Sequence, residues 1–475
     1  MAATTDKAQG ECLQCAERAR RIEDLEARLA QIEAELAKAR KHSGNSSKPP
    51  SSDIVRPPVK RDRKAGRPPR RKRGGQPGHS RHLRTPLPPE SVDEIIEYRY
   101  EACPCCGGRL HDANEPPKIL QQMELAPQLV TVEEHRQIAQ HCPRCQEVFY
   151  HPLGLALKNA GLCGPQLTAL VGFLKGACHM SFSTIRKFFR DVMVVPISRG
   201  QLAKLVQKVS AGVEPAYADL LARLPDEDVL NVDETGHKDS GKRLWTWCFR
   251  AAMHTVFKVS PSRGSDVLLE TLGKEFAGLL GCDYFSAYRK YARLNENVLL
   301  QFCLAHFIRD VRFLAEHPDP RNRDYGGRLL GRLKTLFATI HRREQFASEA
   351  TFRRSLERIE NDLVWEATVE SPHTKEALNL EERFYQHTES YFRFIVRPEI
   401  EPTNNLAEQA LRFVAIHRRI TQGTRGEKGQ RWWERICTVI ATCAQQGRSV
   451  FHFLRDTVTE HLAGQPPPLL LSDGS

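Results

Sequence analysis

Two Cys-x-x-Cys pairs constrain this sequence more than any other feature, because four thiolates at this spacing can enclose one metal ion. Cys103 and Cys106 form the first pair, and Cys142 and Cys145 form the second. A closed tetrahedral zinc site uses this ligand set. Cys105 also allows a Cys-x-Cys pair with Cys103, but the Cys103/Cys106 spacing matches the second pair better. The sequence therefore predicts one structural Zn²⁺ per chain.

Nearly all of the net charge lies just before these cysteines. Residues 56–84 contain 12 Lys/Arg and one acid, a net charge of +11, whereas the whole chain carries +12. A zinc-binding segment behind such a basic stretch favours contact with nucleic acid. The Gly-Arg-Pro at residues 66–68 resembles a hook that enters the DNA minor groove; the alternative is a basic tail that binds phosphates without sequence preference. The predicted DNA contacts here are Arg67, Arg70, Arg71, Lys72 and Arg73.

The chain has 475 residues, too many for a single core, so we expect roughly three domains. No run of apolar residues approaches the ~20 needed to span a bilayer. The N-terminus lacks the pattern of a secretory signal. Fourteen cysteines in such a chain are better explained as thiols and metal ligands than as disulfides. These features predict a cytoplasmic protein that works close to DNA, with no membrane partner.

The first part of the chain divides into three predicted segments. Residues 1–42 contain a helix whose apolar residues recur at alternating spacings of three and four, which predicts a coiled coil, although packing on its own chain is an alternative. Residues 43–90 are rich in Ser, Pro, Gly and charge, and should be a disordered basic linker. Residues 91–155 are the predicted zinc-binding module, in which residues 129–140 alternate like a strand. The coiled-coil seam consists of Ile22, Leu25, Leu29, Ile32 and Leu36.

Residues 156–222 are predicted to be helical. Ser198 is suited to cap a helix that begins at the next residue, and a preceding helix is expected over residues 181–194. A helix, a short turn and a basic helix are typical of a helix-turn-helix DNA-binding domain. Two ordinary packed helices fit the same pattern equally well. The predicted DNA contacts at the front of the second helix are Arg199, Gln201 and Lys204.

From residue 223 to 445, strands alternate with helices, and a strand-poor helical insertion is expected at about 325–395. Residues 446–475 are predicted to form a C-terminal helix and tail. The fold class is therefore multidomain, with an α/β catalytic domain and additional α-helical regions.

Three acids occupy matching places in this layout. Asp233 and Asp283 are each expected to end a strand, and Glu408 is expected on a helix after the insertion. In an open α/β sheet the strand ends form the crevice where ligands bind. The three carboxylates can converge there and hold two Mg²⁺ or Mn²⁺ ions about 4 Å apart, which suits phosphoryl transfer. Each acid alone also has an ordinary explanation, such as a turn cap or a local ion pair.

Several other residues are candidates for supporting this site. Asn404, Glu408 and Arg412 share one helix face, so Arg412 is expected to steady Glu408 and to contact a phosphate. His306 ends a Cys-x-x-His motif and is either half of a zinc site, a support for the catalytic acids or a buried structural histidine. A Gly- and Arg-rich loop should follow the helix and contact the DNA backbone, or simply be solvated. Its predicted DNA contacts are Arg418, Arg419 and Arg425, with His417 beside them.

Four segments of the second half resemble one known family, the TnpC-type transposases of the insertion-sequence family sixty-six. The resemblance is carried by VDETGHKDSGKRLWTW, LLGCDYFSAYRKY, QFCLAHFIRD and PTNNLAEQALR. The motif GGQPGH, the cysteine pairs and the N-terminal helix agree with it, so it covers nearly the whole chain in the same order. Two positions depart from the family pattern: Thr403 stands where many relatives have Asp, and Leu304 replaces the usual Trp.

The resemblance implies a ribonuclease-H-like catalytic domain with a helical insertion before the final Glu. It implies a DDE centre formed by Asp233, Asp283 and Glu408, with two Mg²⁺ or Mn²⁺ ions. The implied partners are double-stranded DNA (the ends of the element and a target), further copies of this chain on that DNA, and accessory proteins encoded by the element. The implied location is the bacterial nucleoid. Two rival functions are a ribonuclease-H-like nuclease that cuts without joining, and a zinc-containing DNA-binding regulator derived from a transposase.

Overall fold

The computed structural model describes residues 13–39, 41, 45, 87–111, 117, 119–123, 125 and 128–471. The described residues belong to two compact units, one from Val59–Arg136 and one from the rest of the chain. The predictions for the basic stretch 56–84, including Arg67, Arg70, Arg71, Lys72 and Arg73, lie outside the described residues. Within the described ranges, no helix is long and apolar enough to cross a bilayer.

The first helix, α1 (Leu13–Ala39), occupies the segment predicted to form a coiled coil. Arg28 and Asp24, one turn apart, form an ion pair at 3.3 Å that supports the helix. The five side chains of the predicted seam, Ile22, Leu25, Leu29, Ile32 and Leu36, are 45–62% exposed. An apolar stripe in this position is available to a partner helix, and the coiled coil remains a prediction.

The predicted strand over residues 129–140 is wrong for most of its length. The first strand, β1 (Ala139–Cys142), begins only near the end of that range and pairs with β2 (Glu147–Tyr150) as an antiparallel hairpin. Side chains such as Val132 are exposed. Because no sheet face covers them, the alternating pattern does not lead to a strand.

Five helices follow; one starts at the predicted cap Ser198, and another is capped by Ser181, the first residue of the helical range predicted over 181–194. The side-chain oxygen of Ser181 accepts the N–H of Thr184 at 3.0 Å, and that of Ser198 accepts the N–H of Gln201 at 3.1 Å. Each bond satisfies a backbone donor that the first helical turn leaves unpaired. The helices are α2 (Leu155–Ala160), α3 (Pro165–Gly176), α4 (Phe182–Asp191), α5 (Arg199–Gly212) and α6 (Glu214–Arg223).

The helix α15 (Val450–Ala463), which lies in the range predicted to hold a C-terminal helix, packs against α2, α3 and α5. The side-chain amide of Asn159 donates to the carbonyl of Leu462 at 2.9 Å. Gly212 approaches α15 so closely that a Cβ there would lie 3.4 Å from Thr457. The helical core is therefore built from two segments that lie far apart in the sequence.

A five-stranded mixed sheet forms the centre of the α/β region, in the order β5-β4-β3-β6-β7. The first three strands pair in antiparallel fashion, whereas β6 and β7 run parallel to β3. The strand β6 is buried along its whole length, as is typical of parallel strands covered on both faces. The strands are β3 (Val229–Asp239), β4 (Lys242–Arg250), β5 (Thr255–Ser260), β6 (Leu279–Cys282) and β7 (Leu299–Phe302).

Asp233 lies inside β3 and not at its end, which corrects the prediction. Parallel pairing with β6 stops at Asn231, whereas antiparallel pairing with β4 continues as far as Asp239. The residues after Asp233 are mostly polar, so the apolar pattern in the sequence ends at this point. The strand itself continues to Asp239. Backbone pairing with β4 holds this second half of the strand.

Eight helices accompany the sheet, and α10, α11 and α12 make up the predicted insertion. The insertion is fixed to the sheet by Gln301 of β7, whose amide donates to the carbonyl of Tyr391 at 3.0 Å and accepts the N–H of Phe394 at 3.2 Å. The helices are α7 (Ser265–Leu272), α8 (Ser286–Leu294), α9 (Leu304–Ala315), α10 (Pro320–Ile340), α11 (Glu349–Thr368), α12 (Lys375–Val396), α13 (Asn405–Thr421) and α14 (Glu427–Gln445).

Side chains of α14 occupy the open edge of β5, the outer strand. Residues four apart on a helix are separated by about 6 Å along its axis, close to the roughly 6.8 Å between alternate residues of a strand. One helix face can therefore accept successive N–H groups that an edge strand would leave unpaired. The N–H groups of Val259, Phe257 and Thr255 donate to Glu434 Oε1 at 2.7 Å, Thr438 Oγ1 at 3.0 Å and Thr442 Oγ1 at 3.2 Å, respectively.

Candidate active site

Asp233 lies in β3, and Asp283 directly follows β6, which pairs in parallel with β3. The parallel pairing ends with Asn231 opposite Gly281, two residues before each aspartate. Both side chains are half-buried. Burial raises the pKa of Asp233 well above its ordinary value, and the negative charges of Glu234, Asp283 and Glu408 raise it further. Asp283 and Glu408 therefore both lie within electrostatic reach of Asp233.

Backbone donors orient the two aspartates. Oδ1 of Asp233 accepts the N–H of Glu234 at 2.8 Å, and Oδ1 of Asp283 accepts the N–H of Phe285 at 2.9 Å. The second contact closes a turn directly after β6, which leads the chain into α8. Each carboxylate is thus held through one oxygen by the chain that follows it.

Asn404 fixes the start of the helix that carries Glu408. Its side-chain amide donates to the carbonyl of Val232 at 2.8 Å, and its N–H donates to Cys303 Sγ at 3.1 Å. Asn404 is 1% exposed. These bonds tie the start of α13 to β3 and to the end of β7, and Glu408 follows one turn later on the same helix. The supporting role of Asn404 at the site remains a prediction.

Glu408 is held from α9 and not from its own helix. Arg309 Nη2 lies 3.2 and 3.3 Å from the two carboxylate oxygens, and His306 Nδ1 lies 3.5 Å from Oε1. Arg412, the residue expected to steady Glu408, is exposed. The expectation was wrong because α9 begins immediately after β7, so residues on its first two turns face α13.

Glu234, which the sequence reasoning did not single out, is the most enclosed acid near the site. Tyr288 Oη donates to its Oε2 at 2.5 Å, and Arg263 Nε donates to its Oε1 at 2.7 Å. Burial, followed by the charge of Asp283, raises the pKa of Glu234 to about 7. The signal available in the sequence was the adjacent pair of acids in a strand, where one of two neighbours must face the interior.

The guanidinium of Arg263, which binds Glu234, also packs against two aromatic rings. Its guanidinium carbon lies 4.6 Å from the ring centre of Trp245 and 4.0 Å from that of Phe285. Phe285 is also the residue whose N–H holds Asp283. The contacts of Glu234 therefore bind β3 to the loop that carries the second predicted metal ligand.

The carboxylate set suits a hard divalent cation. Asp233, Asp283 and Glu408 provide oxygen donors only, and the pKa of Asp233 is raised first by burial and then by the repulsion of nearby acids, Asp283 and Glu408 among them. Arg309 is a cation in contact with just one of the three. Mg²⁺ and Mn²⁺ prefer such oxygen ligands, and a bound cation would relieve this repulsion.

The two cysteine pairs form turns of the same kind, each within its own unit. Gly107, at φ 74°, donates its N–H to the carbonyl of Cys103 at 2.8 Å; Gln146, at φ 58°, donates to that of Cys142 at 2.9 Å. Backbone N–H groups of Cys106 and Cys145 point at the first sulfur of their pairs and lower the pKa of Cys103 and of Cys142. Each turn is suited to offer two thiolates to a metal, and the four-cysteine zinc site remains a prediction.

The predicted DNA contacts of α5 differ in exposure. Arg199 and Lys204 are exposed, whereas Gln201 is half-buried. The rest of α5 packs against α3, α4, α6 and α15. The helix can therefore offer its first turns to a partner, and the helix-turn-helix remains a prediction.

The predicted basic loop after α13 is largely helical. His417, Arg418 and Arg419 belong to the last turns of α13, and α14 begins at Glu427. Arg418 donates to the carbonyl of Gly236, so its guanidinium is engaged within the protein. Arg419 and Arg425 are exposed, as is Arg412. The sequence placed the helix end too early because Arg and His in a final helical turn look like a polar loop.

His417 is buried and contributes no positive charge. Its ring stacks on Trp433 with 3.8 Å between ring centres, and its Nδ1 lies 3.2 Å from Nδ1 of His179. Burial, followed by the charge of Lys175, lowers the pKa of His417 to about 3. The short connection that follows is tight: at Gly423 (φ 102°) a Cβ would collide with the backbone carbonyl of Lys238.

Comparison with known proteins identifies the family. The pattern described as "Transposase IS66 family" matches residues 160–431, and one described as "Family of unknown function (DUF6444)" matches residues 5–85. Three similar proteins come from Sinorhizobium fredii (strain NBRC 101917 / NGR234). Protein y4jD is 27% identical to this chain over 48% of this chain and 48% of its own length. Protein y4qI is 23% identical over 57% of this chain and 55% of its own length. Protein y4hP is 23% identical over 76% of this chain and 71% of its own length.

The chain spans about half the length of the first two of these relatives. The match to residues 160–431 includes all five strands of the mixed sheet and the helix that carries Glu408. Since it covers more than half of the chain, this protein belongs to the IS66 family of transposases.

Proposed function

We propose that this protein is a DNA transposase that binds the ends of its own insertion element, cleaves the strands there and joins them to a target. One observation carries the proposal: Asp233 and Asp283 each lie two residues beyond the parallel pair of Asn231 and Gly281, and Asn404, four residues before Glu408, ties the start of α13 to β3. The strand order β5-β4-β3-β6-β7, with three antiparallel strands followed by two parallel ones, supports a ribonuclease-H-like domain. The acids and the topology together favour a DDE mechanism.

In this mechanism Asp233, Asp283 and Glu408 would hold two Mg²⁺ or Mn²⁺ ions. When bound, such ions activate an attacking oxygen and stabilise the leaving oxygen of an in-line displacement at phosphorus. Residues of the chain itself position the carboxylates: backbone N–H groups orient the two aspartates, and Arg309 holds the Glu408 carboxylate. Preorganised charge of this kind lowers the barrier because it needs no rearrangement during the reaction.

The DNA backbone would be held by basic side chains outside the carboxylate set. Arg199 and Lys204 on α5, and Arg412, Arg419 and Arg425 around α13, are all exposed. The basic stretch 56–84 would add phosphate contacts without sequence preference. Zinc held by the two cysteine pairs would support the DNA-binding part, and α1 would pair copies of the chain on DNA. Accessory proteins of the element are further proposed partners.

The decisive experiment is a cleavage and strand-transfer assay. The full-length chain is incubated with Mg²⁺ and labelled DNA that carries the terminal repeats found around its gene. We expect 3′-OH ends at the repeat boundary and joined products. Asp233→Asn keeps the shape of the side chain but removes a charged ligand, so both products should fall by at least about 100-fold while end binding persists. Arg354, an exposed arginine of the insertion, provides a control as Arg354→Gln.

The same assay separates the rival functions. A ribonuclease-H-like nuclease would give cut ends without joined products. A regulator would bind the ends and give neither product. Normal strand transfer by Asp233→Asn with Mg²⁺ would contradict the role of the three acids.

A further inference from the structure

A second set of metal-binding side chains meets at Glu408. Cys303, His306 and Glu408 each offer one ligand atom, and these atoms all lie within 4.8 Å of one another. The set contains one sulfur, one imidazole nitrogen and one carboxylate oxygen. Asp233 and Asp283, in contrast, offer oxygen only. Sulfur and imidazole ligands are typical of Zn²⁺ and related transition metals, and Mg²⁺ rarely takes them.

The fold brings these three residues together through local geometry. Cys303 directly follows β7 and caps α9, and His306 lies on the first turn of that helix. Glu408 arrives from α13, whose start is tied to Cys303 by the N–H of Asn404, 3.1 Å from Sγ. Such N–H donors to sulfur are common supports for a metal-bound thiolate, because they stabilise its negative charge.

Two details show that the set is suited to accept an ion. His306 Nδ1 is buried and has no hydrogen-bond partner among the described residues, although it lies 3.5 Å from Glu408 Oε1. A buried imidazole nitrogen without a partner is costly unless something else contacts it. The carboxylate has two oxygens, so one can serve as a ligand while Arg309 keeps its contact with the other at 3.3 Å.

We propose that Cys303, His306 and Glu408 bind one Zn²⁺-class ion, at a site that shares Glu408 with the carboxylate set. Three protein ligands leave a fourth position for water, as in open zinc sites. The Cys303 thiol gives up its proton to solvent when the ion binds. Zn²⁺ exceeds Mg²⁺ by far in affinity for nitrogen and sulfur ligands, so the site is selective.

The sharing of Glu408 has a functional consequence that rests on the proposed transposase activity. A carboxylate bound to Zn²⁺ beside Cys303 and His306 is withdrawn from Asp233 and Asp283. Zn²⁺ therefore inhibits Mg²⁺-dependent strand cleavage, and it does so through a site made of this chain's own side chains. The inhibition is reversed by a chelator that removes Zn²⁺ and leaves Mg²⁺.

The binding part is tested with Co²⁺, a coloured substitute for Zn²⁺, titrated into the reduced full-length chain. Four proteins are compared: wild type, Cys303→Ser, His306→Gln and the control Cys178→Ser, which removes an exposed thiol elsewhere. We expect wild type and Cys178→Ser to bind one more Co²⁺ per chain than the other two, or to bind it at least about tenfold more tightly. All four proteins keep the two cysteine pairs, so any Co²⁺ bound there contributes equally to each and does not affect the difference.

Equal metal stoichiometry and affinity in all four proteins would overturn the proposal. If Cys303→Ser fails to fold, which circular dichroism reveals, His306→Gln decides alone, because its side chain is half-buried and keeps a similar volume. The inhibition is then measured as the Zn²⁺ concentration that halves each protein's own zinc-free cleavage rate. We expect that concentration to rise at least about tenfold in each variant that retains cleavage.

The outcomes separate the two proposals. If no protein cleaves DNA with Mg²⁺ but the extra Co²⁺ binds to wild type, the transposase mechanism fails and the metal site stands. If the extra ion binds without inhibiting cleavage, the sharing of Glu408 is wrong.

Discussion

Asp233 and Glu234 are adjacent acids in the same strand, and their surroundings give them different tasks. Asp233 is half-buried and lies within electrostatic reach of Asp283, so it is suited to bind a metal ion. Glu234 is enclosed by Tyr288 and Arg263 and holds the strand against the loop after β6. At the scale of single residues, the site therefore separates the groups that would bind metal from those that position them.

Glu234→Gln tests this positioning role. Gln keeps the size of the side chain but cannot form the ion pair with Arg263, so we expect a loss of about 1–3 kcal/mol in the free energy of unfolding at pH 8. We also expect a higher Mg²⁺ concentration for half-maximal cleavage, since the loop carrying Asp283 is held less firmly. Urea unfolding and Mg²⁺ titration of cleavage are the measurements. Glu270→Gln, which removes an exposed partner of Lys258, should change neither by much.

His417 should make the protein sensitive to acid. Its pKa is lowered to about 3 in the folded state, whereas an unfolded histidine titrates near 6.5. The unfolded state therefore takes up the proton first, and stability is lost as pH falls from about 6.5, with a slope of up to about 1.4 kcal/mol per pH unit from this residue. The groups that face His417 are His179, Lys175, His237 and Trp433.

The measurement compares urea unfolding between pH 5 and 7 for wild type, His417→Phe and the exposed control His452→Gln. Phe keeps the stack on Trp433 and cannot be protonated, so its stability should depend less steeply on pH than that of wild type. Identical slopes for wild type and His417→Phe would show that His417 does not contribute to acid sensitivity.

Sequence reasoning singled out the three acids of the proposed site, with Asn404 and His306 as supports, but it missed Arg309 and Glu234. Asp233, Asp283 and Glu408 stand in recognisable motifs. Arg309, in contrast, lies 99 residues from Glu408 and meets it only because α9 and α13 both start at the same edge of the sheet. Arg412 looked like the better partner since it is four residues away, and local spacing is the only distance that a sequence displays.

At the scale of elements, α14 pairs with the edge of the sheet as a sixth strand would. Its side chains accept the N–H groups of β5 that would otherwise face solvent or another chain. No periodicity in the sequence indicates this, because Thr438 and Thr442 look like ordinary residues of a helix. Ser198 was predicted as a cap, and Ser181 carries the same local signal, since a cap oxygen and the N–H group that donates to it lie three residues apart.

Thr438→Val tests the contact between α14 and β5. Val has nearly the same shape as Thr but no hydroxyl, so the buried N–H of Phe257 loses its acceptor. We expect a loss of about 1–3 kcal/mol in the free energy of unfolding. Hydrogen exchange of the Phe257 amide should become faster. The exposed Thr335→Val in α10 is the control, and equal effects of the two changes would contradict the role of this contact.

At the scale of the whole molecule, α1 is the element most suited to join two copies of the chain. Its seam residues are exposed along one side of the helix, at the spacing that a parallel partner helix requires. The sequence predicted this helix and its seam, because a heptad pattern is local in the chain.

Leu25→Lys combined with Leu29→Lys tests self-association. Two charges on the seam should abolish pairing, so we expect wild type to sediment as an oligomer and the double variant as a monomer. The control Glu23→Lys with Gln31→Lys introduces two lysines at positions outside the seam, so it should leave the oligomer intact. A monomeric wild type, with and without DNA, would show that α1 has another role.

The return of α15 to the first helices also affects how the protein can be made. Asn159 and Gly212 need Leu462 and Thr457 as neighbours, yet the ribosome synthesises the entire mixed sheet and the insertion in between. The core around α3 and α5 therefore stays open at one side until translation has passed residue 463. A messenger RNA cut short before that point yields chains that lack α15. In such chains the helices around Arg199 and Lys204 miss one packing partner, even when every residue of the carboxylate set has been synthesised.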